Sequence, residues 1–218
     1  MIYYDLIEGD AYAKSIHYRP KTCFVMTQLA DPVPTSIINI RRALKRNIDP
    51  MGIKLIDAGH DVTGKDFLNK IWDIILSVPL GIAVITSDMS TKAVSNVFYE
   101  LGLMQALGKE TLVIKTKEVE VPSDFVRTEY IEYPFRFKSK INKYLDKVFT
   151  QAEHYSIMAS ELEQNPELAI DYLIRAYLIN PKPEHKTQIL DLITNSSFLD
   201  KQSAEVVKSF LRSVLKFS

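Results

Sequence analysis

The run Leu80-Gly81-Ile82-Ala83-Val84-Ile85-Thr86 is the feature that most narrows the fold. It is short and almost continuously apolar, as a strand covered on both faces must be. Such strands belong to parallel sheets with helices packed on each side. The surrounding chain agrees: from Thr22 onward, short β-branched or aromatic runs alternate with longer segments of helical period, the order expected of βα units.

Laid out in order, the first strand is expected over Thr22 to Gln28, and Pro32 and Pro34 mark the loop behind it. Thr35 or Ser36 can then cap a helix whose apolar stripe is Ile37, Ile40, Leu44 and Ile48. Arg41, Arg42, Lys45 and Arg46 fall on its outer face and read as surface. A second strand, Ile53 to Ala58, leads through a polar loop with Gly59, His60 and Asp61 into a helix from Lys65 to Val78. Its buried face is set by Phe67, Ile71, Ile74, Ile75 and Val78, and Trp72 reads as core. After the Leu80 strand comes a helix closing at Gly108, then a strand from Glu110 to Lys115 and a short one from Tyr130 to Tyr133. The expected fold is therefore α/β: a five-stranded, parallel, doubly wound sheet of flavodoxin-like type with a C-terminal all-α extension.

Beyond Pro134 the alternation stops and helical periods alone remain. Phe135 to Glu153 reads as the last helix of the α/β domain running into a tail, so the chain divides into an arm (1–20), an α/β domain (21–150) and a helical tail (151–218). Ala159, Ala169, Leu173, Ala176 and Pro181 come near the spacing of one tetratricopeptide-like hairpin, with further helices expected near Thr187 to Thr194 and Ala204 to Leu215. One such repeat cannot bury its own faces, so the tail needs the α/β domain, its following helices or another subunit. Tyr3, Tyr4, Tyr12 and Tyr18 in the arm point to packing on the domain or on a second subunit.

Charge and composition exclude several classes. Lys plus Arg and Asp plus Glu are 27 each, so no global field draws a polyanion. Arg136, Lys138, Lys140, Lys143 and Lys147 crowd one helix without a stripe of base-stacking aromatics, so they read as a solvated face and nucleic acid is not an expected partner. The single cysteine, Cys23, lies in an apolar run and reads as a buried core residue, which fits a reducing cytoplasm. No run of 18 apolar residues and no basic-then-hydrophobic leader is present, so neither membrane spanning nor secretion is expected. G-x-G-x-x-G, G-x-x-x-x-G-K-[ST] and clustered Cys/His ligands do not occur, so no metal and no redox or P-loop cofactor is expected.

The chemistry concentrates on one helix. Ser95 to Lys109 is apolar almost all round, which predicts burial, yet it carries Asn96 and Glu100 one turn apart. An unpartnered buried carboxylate is costly, so Glu100 is expected at the wall of a polar cleft as a candidate catalytic acid. Ligands of open parallel sheets bind beyond the carboxyl ends of the strands. Thr27 and Gln28, Asp57 and His60 with Asp61, and Ser87 with Asp88 follow the first three strands. With Asn96, these are the candidate substrate-binding residues. Structural roles stand beside each of them: an ion pair for Glu100, a helix cap for Asn96, strand-end turns for Asp57 and Asp61, and a surface position for His60. Gly102 reads as a place where the helix approaches the sheet closely.

Asn96-Val97-Phe98-Tyr99-Glu100-Leu101-Gly102, followed by Ala106-Leu107-Gly108-Lys109 and an apolar strand, resembles the signature of bacterial TIR-like nucleotide-binding proteins, which relate to the nucleoside 2-deoxyribosyltransferase-like fold. The resemblance extends through Phe24-Val25-Met26 and Ile71-Trp72 and covers roughly Thr22 to Tyr133. It implies an N-glycosidase with Glu100 as the catalytic glutamate and NAD or a related nucleotide as substrate rather than cofactor. It also implies a place in antiphage defence and homo-oligomer assembly through the tail. Asp88 is then a second acid that orients the sugar. Thr27-Gln28 stands where many relatives have Pro-Phe, and Thr86-Ser87-Asp88-Met89 where many have an Asp-Leu-Thr-like turn. A deoxyribosyltransferase and a non-catalytic nucleotide sensor or scaffold remain the alternatives.

Overall fold

The computed structural model describes residues 3–6, 9–10, 12, 16–29, 31–59, 65–122, 125, 129–162 and 164–195. They form two compact units, one of residues 22–146 and the other of residues 1–21 with 147–218.

The first unit is the expected α/β layer. Strands β1 (Thr22–Met26), β2 (Lys54–Ile56), β3 (Leu80–Ile85), β4 (Glu110–Lys115) and β5 (Glu129–Glu132) make one sheet in the order β2-β1-β3-β4-β5. All four pairings are parallel, with Phe24 opposite Gly81 and Ile82 opposite Leu112. Every residue of β1 and β3 is buried, as the apolar Leu80 run requires of a strand covered on both faces. Right-handed crossovers place the helix after β1, α1 (Thr35–Ile48), on one face of the sheet, and α2 (Lys65–Ser77) and α3 (Thr91–Ala106) on the other. α1 buries Ile37, Ile40, Ala43, Leu44 and Ile48, the stripe its spacing predicts.

Several boundaries move at the carboxyl edge. The ladder between β1 and β3 ends at Met26 and Ala83, so Thr27 and Gln28 lie past the strand. β5 stops at Glu132 because the turn into Pro134, which has no N–H to give, follows at once. α1 begins at Thr35 behind Pro34 with no side-chain cap; neither Thr35 nor Ser36 serves as one.

α3 corrects two expectations. It is covered on one side: Val97, Glu100, Leu101 and Met104 are buried, while Asn96 and Tyr99 face solvent. A single sheet face can bury one stripe of a helix, and the apolar residues left over stay at the surface. The close approach also comes from the strand rather than the helix. A Cβ on Gly81 would stand 2.4 Å from the Met104 sulfur, whereas one on Gly102 would meet nothing within 4 Å.

The helix after β5, α4 (Phe137–Glu161), passes through the boundary between the units at Asp146. In the second unit it is followed by α5 (Pro166–Ile179) and α6 (Pro183–Asn195). Asn165 caps α5 by accepting the Leu168 N–H at 3.2 Å, and Pro166 fills the first helical position. The core of this unit joins Ala159, Ala169, Ile170, Leu173, Tyr177 and Ile189 to Tyr18 of the arm. The Lys21 N–H donates to the Leu178 carbonyl at 2.8 Å. Part of what the helical hairpin lacks is thus supplied by the chain's own N-terminal segment. The helix expected at Ala204 to Leu215 lies outside the described residues. Among the described residues no helix is long and apolar enough to cross a membrane.

The contrast between the two glycines is testable by urea denaturation. Gly81→Ala is expected to cost about 1 kcal/mol, because its Cβ displaces only the flexible ends of Met104 and Met26. Gly102→Ala is expected to gain roughly 0.5–1 kcal/mol from helix propensity alone.

Candidate functional site

Strand order fixes where a ligand can lie. The chain leaves β1 toward β2 and leaves β3 toward β4, so the connections diverge between β1 and β3, and it is in the crevice outside the carboxyl ends at such a point that open parallel sheets bind ligands. Of the residues placed there by sequence, Gln28, Asp57, Ser87 and Asp88 are each hydrogen-bonded, in every case to partners outside that set.

Gln28 bridges two loops: its side-chain oxygen accepts the Ser90 N–H at 3.1 Å and its amide nitrogen donates to the Pro32 carbonyl at 3.4 Å. Ser90 in turn caps α3 by accepting the Ala93 N–H at 3.2 Å. The Ser36 hydroxyl, freed from any capping duty, donates to the Asp88 carboxylate, with 2.6 and 2.9 Å to its two oxygens. That bond, foremost, holds the Asp88 carboxyl below its ordinary range. Asp88 is consequently an exposed anion at the mouth of the crevice. The Ser87 N–H donates to the Thr116 hydroxyl at 3.1 Å, joining the β3 and β4 ends. Thr27 is half-buried, and its hydroxyl oxygen is enclosed with no partner among the described residues.

Asp57 has a different employment. It pairs with Arg41 of α1 and accepts the Gly59 N–H at 3.0 Å, so the β2 end is tied down within the chain. His60 and Asp61 lie outside the described residues. Asn96 is in solvent on the second turn of α3, where it caps nothing. Four residues turn an α-helix by 400°, so Asn96 and Glu100 are offset by about 40°, enough here to leave one exposed and the other buried.

Glu100 is the outlier. It sits on the third turn of α3 with 9% of its surface exposed, and no hydrogen bond or ion pair reaches it among the described residues. Burial pushes its carboxyl from an ordinary 4.5 up to about 7. It precedes Met104 by four residues, roughly 6 Å along the axis. Because α3 runs back across the sheet, that displacement is toward the carboxyl ends of the strands, and helix side chains lean the same way. On β3, Gly81 and Ala83 share one face, so the strand opposite offers small side chains.

Ser36 and Thr116 are site residues that sequence reasoning did not assign. Ser36 is a strong cap type next to a helix start, and nothing local distinguishes a serine that bonds 52 positions away. In comparisons with known proteins, no family model, curated protein or solved structure matches the chain.

The raised Glu100 carboxyl has a stability signature. Between about pH 4.5 and 7 the folded chain holds a proton that the unfolded chain has released, so the parent loses stability as pH rises through that window. The loss levels off above it at on the order of 3 kcal/mol. Glu100→Gln carries no such charge, so its melting temperature is expected to match the parent near pH 5 and exceed it near pH 8. A variant that is less stable than the parent at pH 8 would mean the carboxylate has a partner.

Proposed function

We propose that the chain is an N-glycosidase that cleaves the bond between nicotinamide and ribose in NAD or a closely related nucleotide. The single observation that carries this reading is the Glu100 carboxyl: buried, without a cation or donor upon it among the described residues, on the helix that borders the β1/β3 crevice.

Nicotinamide is joined to ribose through a quaternary pyridinium nitrogen. When that C–N bond breaks, its electron pair passes to the nitrogen and neutral nicotinamide departs without needing a proton. Positive charge is left on the anomeric carbon and ring oxygen of the sugar. A carboxylate beside it stabilises that charge or adds to the carbon, and water then delivers a hydroxyl there, giving ADP-ribose and a proton. One available carboxylate suffices for this reaction. Loss of a purine from a nucleoside asks in addition for a general acid near the base. The same burial that raises the Glu100 carboxyl strengthens its attraction for a developing cation, because the effective dielectric is low.

Asp88 keeps lone pairs beyond those used by Ser36 and is suited to accept from a ribose hydroxyl at the crevice mouth. The resemblance of the segment 96–109 to TIR-like proteins supports the same chemistry, with antiphage defence as its setting, a cytoplasmic location and the helical tail as the assembling part. NAD enters as substrate, and no metal takes part in the proposed step.

Incubation with NAD and detection of free nicotinamide test the proposal. The rate is expected to fall at least about 100-fold in Glu100→Gln, and kcat/KM to rise with pH to a plateau above about 7, as the carboxylate forms. Equal rates in parent and variant would remove Glu100 from the mechanism. NAD bound in stoichiometric amount and returned intact would make the chain a sensor. Exchange of free base into a deoxynucleoside would make it a transferase.

A further inference from the structure

Away from the strand-end crevice, α1 and the start of α4 enclose an open groove of about 660 Å³ on the opposite face of the sheet from α3. That volume falls within the range of roughly 300–1,000 Å³ usual for small-molecule sites. Arg46 lines it from α1, Arg136 from the turn before α4, and Lys138 and Ser139 from the first turn of α4, with Tyr133 and Phe137 as its apolar part. Among the described residues none of the three cations makes an ion pair, although the chain as a whole carries as many acids as bases. Three like charges gathered around one hollow repel one another, and an anion between them turns that cost into a gain.

Aromatic and backbone groups surround the cations as well. Arg136 holds a left-handed backbone (φ 49°), and its guanidinium lies over the exposed Phe135 ring at 5.2 Å; Lys140 reaches the same ring at 5.4 Å. Lys138 and Ser139 belong to the first turn of α4, where the Phe137 N–H donates to the Pro134 carbonyl at 3.3 Å and the Lys140 N–H to the Arg136 carbonyl at 3.0 Å, and no acidic side chain occupies that turn.

We propose that this groove binds a phosphorylated small molecule carrying at least two negative charges. The proposal stands on the groove alone and is independent of the glycosidic reading. Calorimetric titration with inorganic pyrophosphate and with ADP tests it on the full chain. Arg46→Glu and Arg136→Glu, both at exposed positions, are compared with Lys117→Glu, a charge-matched change outside the groove.

Saturable binding is expected that weakens with added salt, falls by about tenfold or more in each groove variant, and is unchanged in the control. Equal affinity for both probes shows that the phosphates alone are read; tighter binding of ADP shows that the ring beside them is read too. Absence of saturable binding by either probe overturns the proposal. So does binding that the groove variants leave intact, which would belong to another site. If instead an oligonucleotide binds through Arg46 and Arg136 and neither small anion does, the groove is a nucleic-acid contact and the proposal fails.

Discussion

Met104 on the inward face of α3 lies over the bare backbone of Gly81, so the buried stripe of α3 rests on the sheet. Glu100 belongs to the same buried stripe, one turn nearer the strand ends and beside Leu101. An inward position that would ordinarily hold leucine or valine holds a carboxyl, and the fold supplies no counter-charge for it among the described residues. The local conflict between burial and charge is the kind of inconsistency that proteins retain at functional positions.

The rest of the crevice is built in the opposite manner. Gln28, Ser36, Asp88, Ser90 and Thr116 are joined across the loops after β1, β3 and β4, so the rim is a cross-linked frame rather than a set of waiting ligands. Preorganisation of that sort holds a substrate-facing group in place without reordering when a ligand arrives. In the proposed reaction the cross-linked loops position the substrate and α3 supplies the charge.

How far the sequence speaks depends on the distance over which a signal acts. The unbroken Leu80 run and the 3.6-residue stripe of α1 are local consequences of burial, and the parallel sheet was legible from them. Glu100 was legible for a related reason, since a carboxyl inside an apolar helical stripe is conspicuous. Contacts between distant segments left no such mark. Gly102 was the glycine the helix pattern pointed to, but the close approach belongs to Gly81, whose neighbour Met104 is 23 positions away. Ser36 carries the signature of a cap and works as a donor to Asp88. Tyr18 lay in an arm without periodicity, yet it belongs to the core formed with α5. Asn96 shared a helix face with Glu100 by spacing, but a 40° offset at the edge of the buried stripe, about one-ninth of a turn, decides between water and protein.

The account turns on the state of one carboxyl group, and that state can be read directly. A carbon-13 NMR titration of the glutamate side-chain carboxyls, with the Glu100 resonance assigned by its loss in Glu100→Gln, measures it in the folded protein. A midpoint near 7 is the predicted result. A midpoint at or below the ordinary 4.5 would show a solvated or ion-paired carboxylate and would contradict the account.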